Sequence, residues 1–192
     1  MNKDKPSKIK IALIEDHYVT RLGLSLVLSE IDSLETVGEA DSGLSGVAVV
    51  AARRPDVVLL DLGLPDIDGI ECAKRIKSLQ GSDKVHILMR TSHEENKAVI
   101  DTFSAGADGF CLKDCDDLVL ISAIKDVFYG KTYLDPRIGV RLADFLSDSP
   151  NRHYLKDLYI TSLDLEFLRS LPRPNDDARL KTILQKIAKI QL

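Results

Sequence analysis

Five times within its first 130 residues this chain passes from a short β-branched run into a stretch of helical periodicity, and no other feature constrains its fold as tightly. Strict βα alternation is the signature of a parallel sheet covered by helices. The spacing predicts strands at Ile9–Ile14, Thr36–Glu39, Val57–Leu60, Val85–Met89 and Gly109–Leu112. It predicts helices at Val19–Glu30, Leu44–Arg53, Ile70–Leu79, Glu94–Ala105 and Leu118–Tyr129. Gly106 and Gly130 stand where C′ glycines close the fourth and fifth helices. Right-handed crossovers leave few topologies, and the common small one is the doubly wound order 2-1-3-4-5.

After Gly130 the alternation stops. Residues 131–159 scatter Pro, Asp, Ser and Asn and read as a linker with one short helix near Ile138–Leu146. Residues 160–192 read as a small all-α region. Charge divides along the same line, since residues 151–192 hold eight Lys and Arg against five Asp and Glu, while the net charge of the whole chain is −4. An acidic body suits a cation, and a mildly basic tail permits nucleic-acid contact without requiring it.

Three cysteines and a polar start are the pattern of a reduced, cytoplasmic protein, and no apolar run is long enough to suggest a membrane span. Cys111 and Cys115 lack a second pair or a histidine at ligand spacing, so buried thiols are expected there rather than a metal.

The chemistry concentrates at predicted strand ends. "IALIED" delivers Glu15 and Asp16, "VVLLD" delivers Asp61, "ILMRTS" delivers Thr91 and "GFCLKD" delivers Lys113. In open α/β sheets ligands bind in the crevice beyond those ends. With the first and third strands adjacent, three carboxylates converge, and at 4 Å each like-charge pair repels by roughly 4 kcal/mol at an effective dielectric near 20. Such a cluster must hold protons or a cation, and hard oxygen donors suit Mg²⁺. Together with a hydroxyl and an ammonium, they make a phosphoryl-transfer kit in which Asp61 attacks phosphorus. Asp66 and Asp68 read as turn formers, and His17 and His93 as surface or capping residues.

"IEDH", "DLGLPDIDG", "RTS", "GADGF" and "LKD" occur in that order, and over about residues 8–130 the chain resembles the receiver domain of two-component response regulators. The resemblance implies a flavodoxin-like fold, Glu15 and Asp16 as metal-binding acids, Asp61 as phosphoacceptor and the Gly63 carbonyl as a further Mg²⁺ ligand. It implies Thr91 as switch hydroxyl, Phe110 as switch aromatic and Lys113 as the family's lysine. Asp114 stands where some receivers carry proline. The partner implied is a histidine kinase or phosphotransfer protein, and the function is switching rather than metabolic catalysis. A Mg²⁺-dependent aspartyl phosphatase would need a second acid two residues beyond its nucleophile, and that position here is Gly63.

"ITSLDLEFLRSL" combines a capping pattern, Thr161 to Asp164, with apolar residues at helical spacing, and is similar to the opening of the helix-turn-helix domain in the LuxR/NarL/FixJ group. The pattern then departs. "PRPNDD" replaces a short Gly-containing turn, and "ARLKTILQKIAKIQL" is amphipathic, with Leu180, Ile183, Leu184, Ile187 and Ala188 on one face. Arg179, Lys181, Lys186 and Lys189 lie mostly elsewhere and are the candidates for DNA phosphates. The chain stops where a recognition helix is expected, so three outputs stay open: a shortened transcription factor, a tail that binds a protein or dimerises, and a tail that caps the body.

Overall fold

The computed structural model describes residues 8–81, 84–92, 95–148, 151–171 and 178–190, with the side chains of residues 152 and 153 left out. The chain divides into two compact units, Met1–Ile87 and Leu88–Leu192.

In the first unit, β1 (Ile9–Ile14) lies between β2 (Leu34–Ala40) and β3 (Val57–Asp61), all parallel. Every residue of β3 and all but one of β1 are buried, as expected of strands covered on both faces. Three helices connect them: α1 (Tyr18–Ser29), α2 (Gly43–Arg53) and α3 (Gly69–Ser78). The next strand, β4 (His86–Thr91), straddles the division; its first residue donates to the Asp56 carbonyl at 2.9 Å, beside the start of β3.

In the second unit the rest of β4 pairs in parallel with β5 (Gly109–Leu112), and β5 pairs with a strand not expected from sequence, β6 (Tyr133–Leu134). Along the sheet the order is therefore β2-β1-β3-β4-β5-β6, one strand more than the five expected. Two residues are too few for periodicity to register, and only their pairing to Gly109 and Phe110 makes them a strand.

Helices α4 (Asn96–Ser104) and α5 (Asp117–Phe128) end at Gly106 and Gly130, both at positive φ, as the C′ reading required. The stretch read as a linker carries α6 (Pro136–Ser147) and α7 (Arg152–Asp157) besides β6. Ile138, Leu142, Ala143 and Leu146 of α6 are fully buried.

Arg137 fastens the start of α6. Its guanidinium pairs with Asp114 through two bonds of 2.8 Å and with Asp135, the N-cap of α6, at 2.9 and 3.1 Å. Asp135 is 1% exposed, so removing the arginine strands a buried charge. Arg137→Ala is expected to cost about 3 kcal/mol in urea unfolding, the lower end for a broken buried pair because the arginine is half exposed. Asp114→Ala, touching only the exposed partner, should cost clearly less. Equal losses would refute this division of roles.

The tail begins with α8 (Ser162–Arg169), whose N-terminus carries the expected capping box: the Thr161 hydroxyl accepts from the Asp164 amide, and the Asp164 carboxylate from the Thr161 amide. Helix α9 (Ala178–Ile187) buries Leu180, Ile183, Leu184 and Ile187, the face expected from sequence, each contributing roughly 1.5–3 kcal/mol. Helix α8 packs on α6 and α9 on α4, where the Ser104 hydroxyl donates to the Ala188 carbonyl at 2.6 Å. Among the described residues no helix is long and apolar enough to cross a membrane.

Candidate functional site

Parallel pairing of β1 and β3 runs from Ile11 opposite Val57 to Ile14 opposite Leu60. One residue further stand Glu15 and Asp61, at 3% and 5% exposure. Two buried acids thus occupy neighbouring strand ends, because each follows an apolar run that the sheet holds in register. Asp16 lies beyond Glu15 and is exposed.

Around them the backbone is pinned. The Arg21 guanidinium donates to the Glu15 carbonyl at 2.6 Å, and its cation lies 5.7 Å from the Tyr18 ring centre. Ligand atoms of Glu15, Asp16 and His17 lie within 4.8 Å of one another, the one such trio of potential metal ligands among the described residues. Glu15 and Asp16 were expected there. His17 was expected as a surface or capping residue; it is the N-cap of α1, exposed, with no capping bond from its side chain. Carboxylates are the hard donors that Mg²⁺ and Ca²⁺ take, so the set fits a divalent cation. At Gly63 an added Cβ would stand 4.0 Å from an Asp61 carboxylate oxygen, which places the start of the following loop close over that acid.

The aspartates of that loop do more than turn the chain. Asp68 is the N-cap of α3 and accepts from the Glu71 amide at 2.7 Å. Asp66 accepts from the Gly43 and Leu44 amides at 2.7 and 2.9 Å, capping α2 from 22 residues away, and from the Ile67 amide at 2.8 Å. Turn composition is visible in sequence; this long-range cap is not. The Leu44 amide first, with those of Ile67 and Gly43, lowers the Asp66 pKa to about 2 against the smaller opposing effect of burial. A pKa depressed by folding adds stability above the unfolded carboxylate value, near 4, and loses it as pH falls through about 2. The melting temperature of wild type is therefore expected to exceed that of Asp66→Asn at pH 6 and to converge with it between pH 4 and 2. A constant gap would show that the cap is not charge-dependent.

In the second unit Thr91 ends β4 and Lys113 follows the last residue of β5, and the Lys113 amide donates to the Thr91 carbonyl at 2.9 Å. Thr91 is buried and Lys113 half-buried, and both line a cavity of about 370 Å³ with Ser92, Leu112 and Asp114. Phe110 is fully buried on β5. Asp114, where some receivers carry proline, is the partner of Arg137, whose bonds hold its carboxyl below the ordinary range. His93 falls outside the described residues.

The basic candidates of the tail divide. Arg179 bonds Asp164 at 3.0 and 3.1 Å and lies 5.1 Å from the Phe167 ring centre, and Lys186 donates to the Tyr159 carbonyl at 2.8 Å. Burial raises the Asp164 pKa, and bonds from Thr161 and Arg179 outweigh it, leaving the carboxyl below its usual value. Lys181 and Lys189 are exposed.

Comparison with known proteins agrees with this architecture. The response regulator receiver domain family matches residues 11–125. The DNA-binding transcriptional activator DevR/DosR of Mycobacterium tuberculosis is 39% identical over 134 residues, covering 70% of this chain and 61% of that protein. The response regulator GacA of Pseudomonas syringae is 34% identical over 135 residues, 70% of this chain and 62% of that one. This chain thus spans about three fifths of the length of these curated relatives. Among solved structures, a LuxR-family two-component response regulator from Aurantimonas sp. SI85-9A1 superposes with a TM-score of 0.67 at 29% identity, covering 72% of this chain and 97% of that one.

Proposed function

We propose that this chain, which belongs to the response regulator receiver family, is a cytoplasmic phosphoacceptor switch of a two-component pathway, charged on Asp61 by a histidine kinase or phosphotransfer protein. The observation that carries the reading is the pair of buried carboxylates, Glu15 and Asp61, at adjacent strand ends. An Asp61 oxygen attacks phosphorus, the bond from phosphorus to the donor breaks, and the leaving group departs with its electron pair. Glu15, Asp16, the Asp61 carboxylate and the Gly63 carbonyl would hold Mg²⁺, and the bound cation would supply charge neutralisation for the phosphoryl oxygens. The roles of the other residues rest on the order of the sequence motifs. The Lys113 ammonium offsets the charge of the acyl phosphate, the Thr91 hydroxyl donates to one of its oxygens, and Phe110 repacks as the Thr91 loop shifts.

For the output we propose descent from transcriptional regulators, supported by the likeness to the DNA-binding transcriptional activator DevR/DosR. Direct DNA contact by this chain would fall to Lys181 and Lys189, since Arg179 and Lys186 are engaged within the tail. Burial of the apolar face of α9 against its own unit favours the third reading, in which the tail caps the body, over one in which that face meets a protein partner or a second copy.

The test is incubation with acetyl phosphate and Mg²⁺, followed by intact mass and mapping of the modified residue. One phosphoryl group per chain on Asp61 is expected, with uptake falling at least about 100-fold in excess chelator, the rate equivalent of the few kcal/mol a bound metal supplies. Modification elsewhere, or uptake indifferent to chelation, would reject the reading.

A further inference from the structure

Two of the three cysteines stand together on either side of Lys113. The Sγ atoms of Cys111, on β5, and Cys115, four residues later, are 3.1 Å apart. Cys111 is buried and Cys115 partly exposed, where it lines a cavity of about 210 Å³ with Asp114, Asp116, Val119 and Arg137. Arginines as well as carboxylates stand around the pair. Arg90 pairs with Cys111 across the sheet and donates to the Lys113 carbonyl at 2.7 Å, and Arg137 grips Asp114. A turn already closes the segment, since the Cys115 amide donates to the Leu112 carbonyl at 3.2 Å.

We infer that Cys111 and Cys115 form a dithiol modification site that hydroperoxides convert to an intramolecular disulfide, closing a ring around Lys113 and Asp114. A metal is the poorer reading, because no third His, Cys, Asp or Glu joins the pair among the described residues. Two sulfurs alone do not complete a tetrahedral site.

The reaction divides the two residues by role. The hydrogen bond from Cys111 lowers the Cys115 pKa, Arg90 and Arg137 lower it further, and burial and the Asp135 charge oppose them. The same bond and burial raise that of Cys111, which keeps its proton. Thiolate character and access both select Cys115 as the nucleophile. Its sulfur attacks one peroxide oxygen, the O–O bond breaks, and the departing oxygen takes a proton, leaving a sulfenic acid. Cys111 sulfur then attacks Cys115 sulfur, the S–O bond breaks, and hydroxide leaves with the Cys111 proton as water. With hydrogen peroxide two thiols lose two electrons in all, one peroxide gains them, and two waters form.

Cys72 supplies the internal control. It is fully buried, and burial, with Asp66 adding, pushes its thiol up to about 12. The consequence for signalling rests on the phosphoacceptor reading, because the closed ring restrains the segment bearing Lys113; the thiol chemistry does not.

The experiment treats the full chain with hydrogen peroxide and counts free thiols after unfolding. Wild type should fall from three thiols to one and Cys72→Ser from two to none, both recovering in dithiothreitol, with mapping to a Cys111–Cys115 bridge within one chain. Cys115→Ser should keep both of its thiols, and Cys111→Ser should stall as a sulfenic acid captured by dimedone at Cys115. Three surviving thiols in wild type, a bridge between chains or to Cys72, or no dimedone capture in Cys111→Ser would overturn the site. Uptake from acetyl phosphate is then compared before and after oxidation. A several-fold change reversed by dithiothreitol supports the restraint of Lys113, and an unchanged rate overturns that consequence. Absent uptake in the reduced protein would defeat the phosphoacceptor reading, while the thiol count still decides the dithiol.

Discussion

Asp61→Asn is expected to take up no phosphoryl group from acetyl phosphate, while folding as well as wild type or better. The amide is nearly the same size as the carboxylate and fills the same buried position at the end of β3. What it lacks is the anionic oxygen proposed to attack phosphorus and to hold the metal. Stability should move the other way. Neutralising one of two buried acids at neighbouring strand ends removes like-charge repulsion between them. Thermal melts without metal should therefore show the asparagine variant equal to or above wild type, and Mg²⁺ should stabilise wild type much more than the variant. Phosphoryl label retained on Asp61→Asn, or equal stabilisation of both by Mg²⁺, would move the site elsewhere.

Gly69→Ala is expected to lose about 3 kcal/mol or more in urea unfolding, a large effect for one methyl group. Gly69 opens α3, and its amide donates to the Leu62 carbonyl at 2.8 Å as the chain folds back over the end of β3. A Cβ there would fall on the Asp61 carbonyl oxygen and 2.8 Å from the Leu62 Cα. Both obstacles are backbone, so no rotamer change relieves the overlap and the loop must shift. The shift would displace Asp61 itself, and phosphoryl uptake should fall along with stability. Gly63→Ala is the comparison, since its Cβ would meet only a carboxylate oxygen at 4.0 Å and should change stability by less than about 0.5 kcal/mol. Equal midpoints for the two alanine variants would show that close approach at Gly69 is not what demands glycine.

Most of the first 130 residues were legible as sequence because their information is local. The run Val57 to Leu60 is apolar without interruption, and β3 is buried throughout. Thr161 and Asp164 are three residues apart, and their reciprocal bonds form as that spacing allows. The apolar face of α9 was legible for the same reason, since its residues recur at a helical period. By contrast β6 was not legible, being two residues defined by their neighbour. Asp66 and Asp68 look alike in sequence, yet one caps the helix it precedes and the other a helix 22 residues back.

Sequence alone determined the number and order of the main helices, all but one of the strands, and the family membership, because periodicity, capping and the identity of strand-end residues are properties of neighbouring positions. Tertiary structure decided the rest. It joined Arg137 to Asp114 and Asp135, spent Arg179 on Asp164, and brought two sulfurs within 3.1 Å. Charged and polar groups take whatever partner the chain's path places within about 3 Å of them. That path is set by the packing of whole elements, so the partner of a surface arginine or a loop aspartate is written in no local pattern.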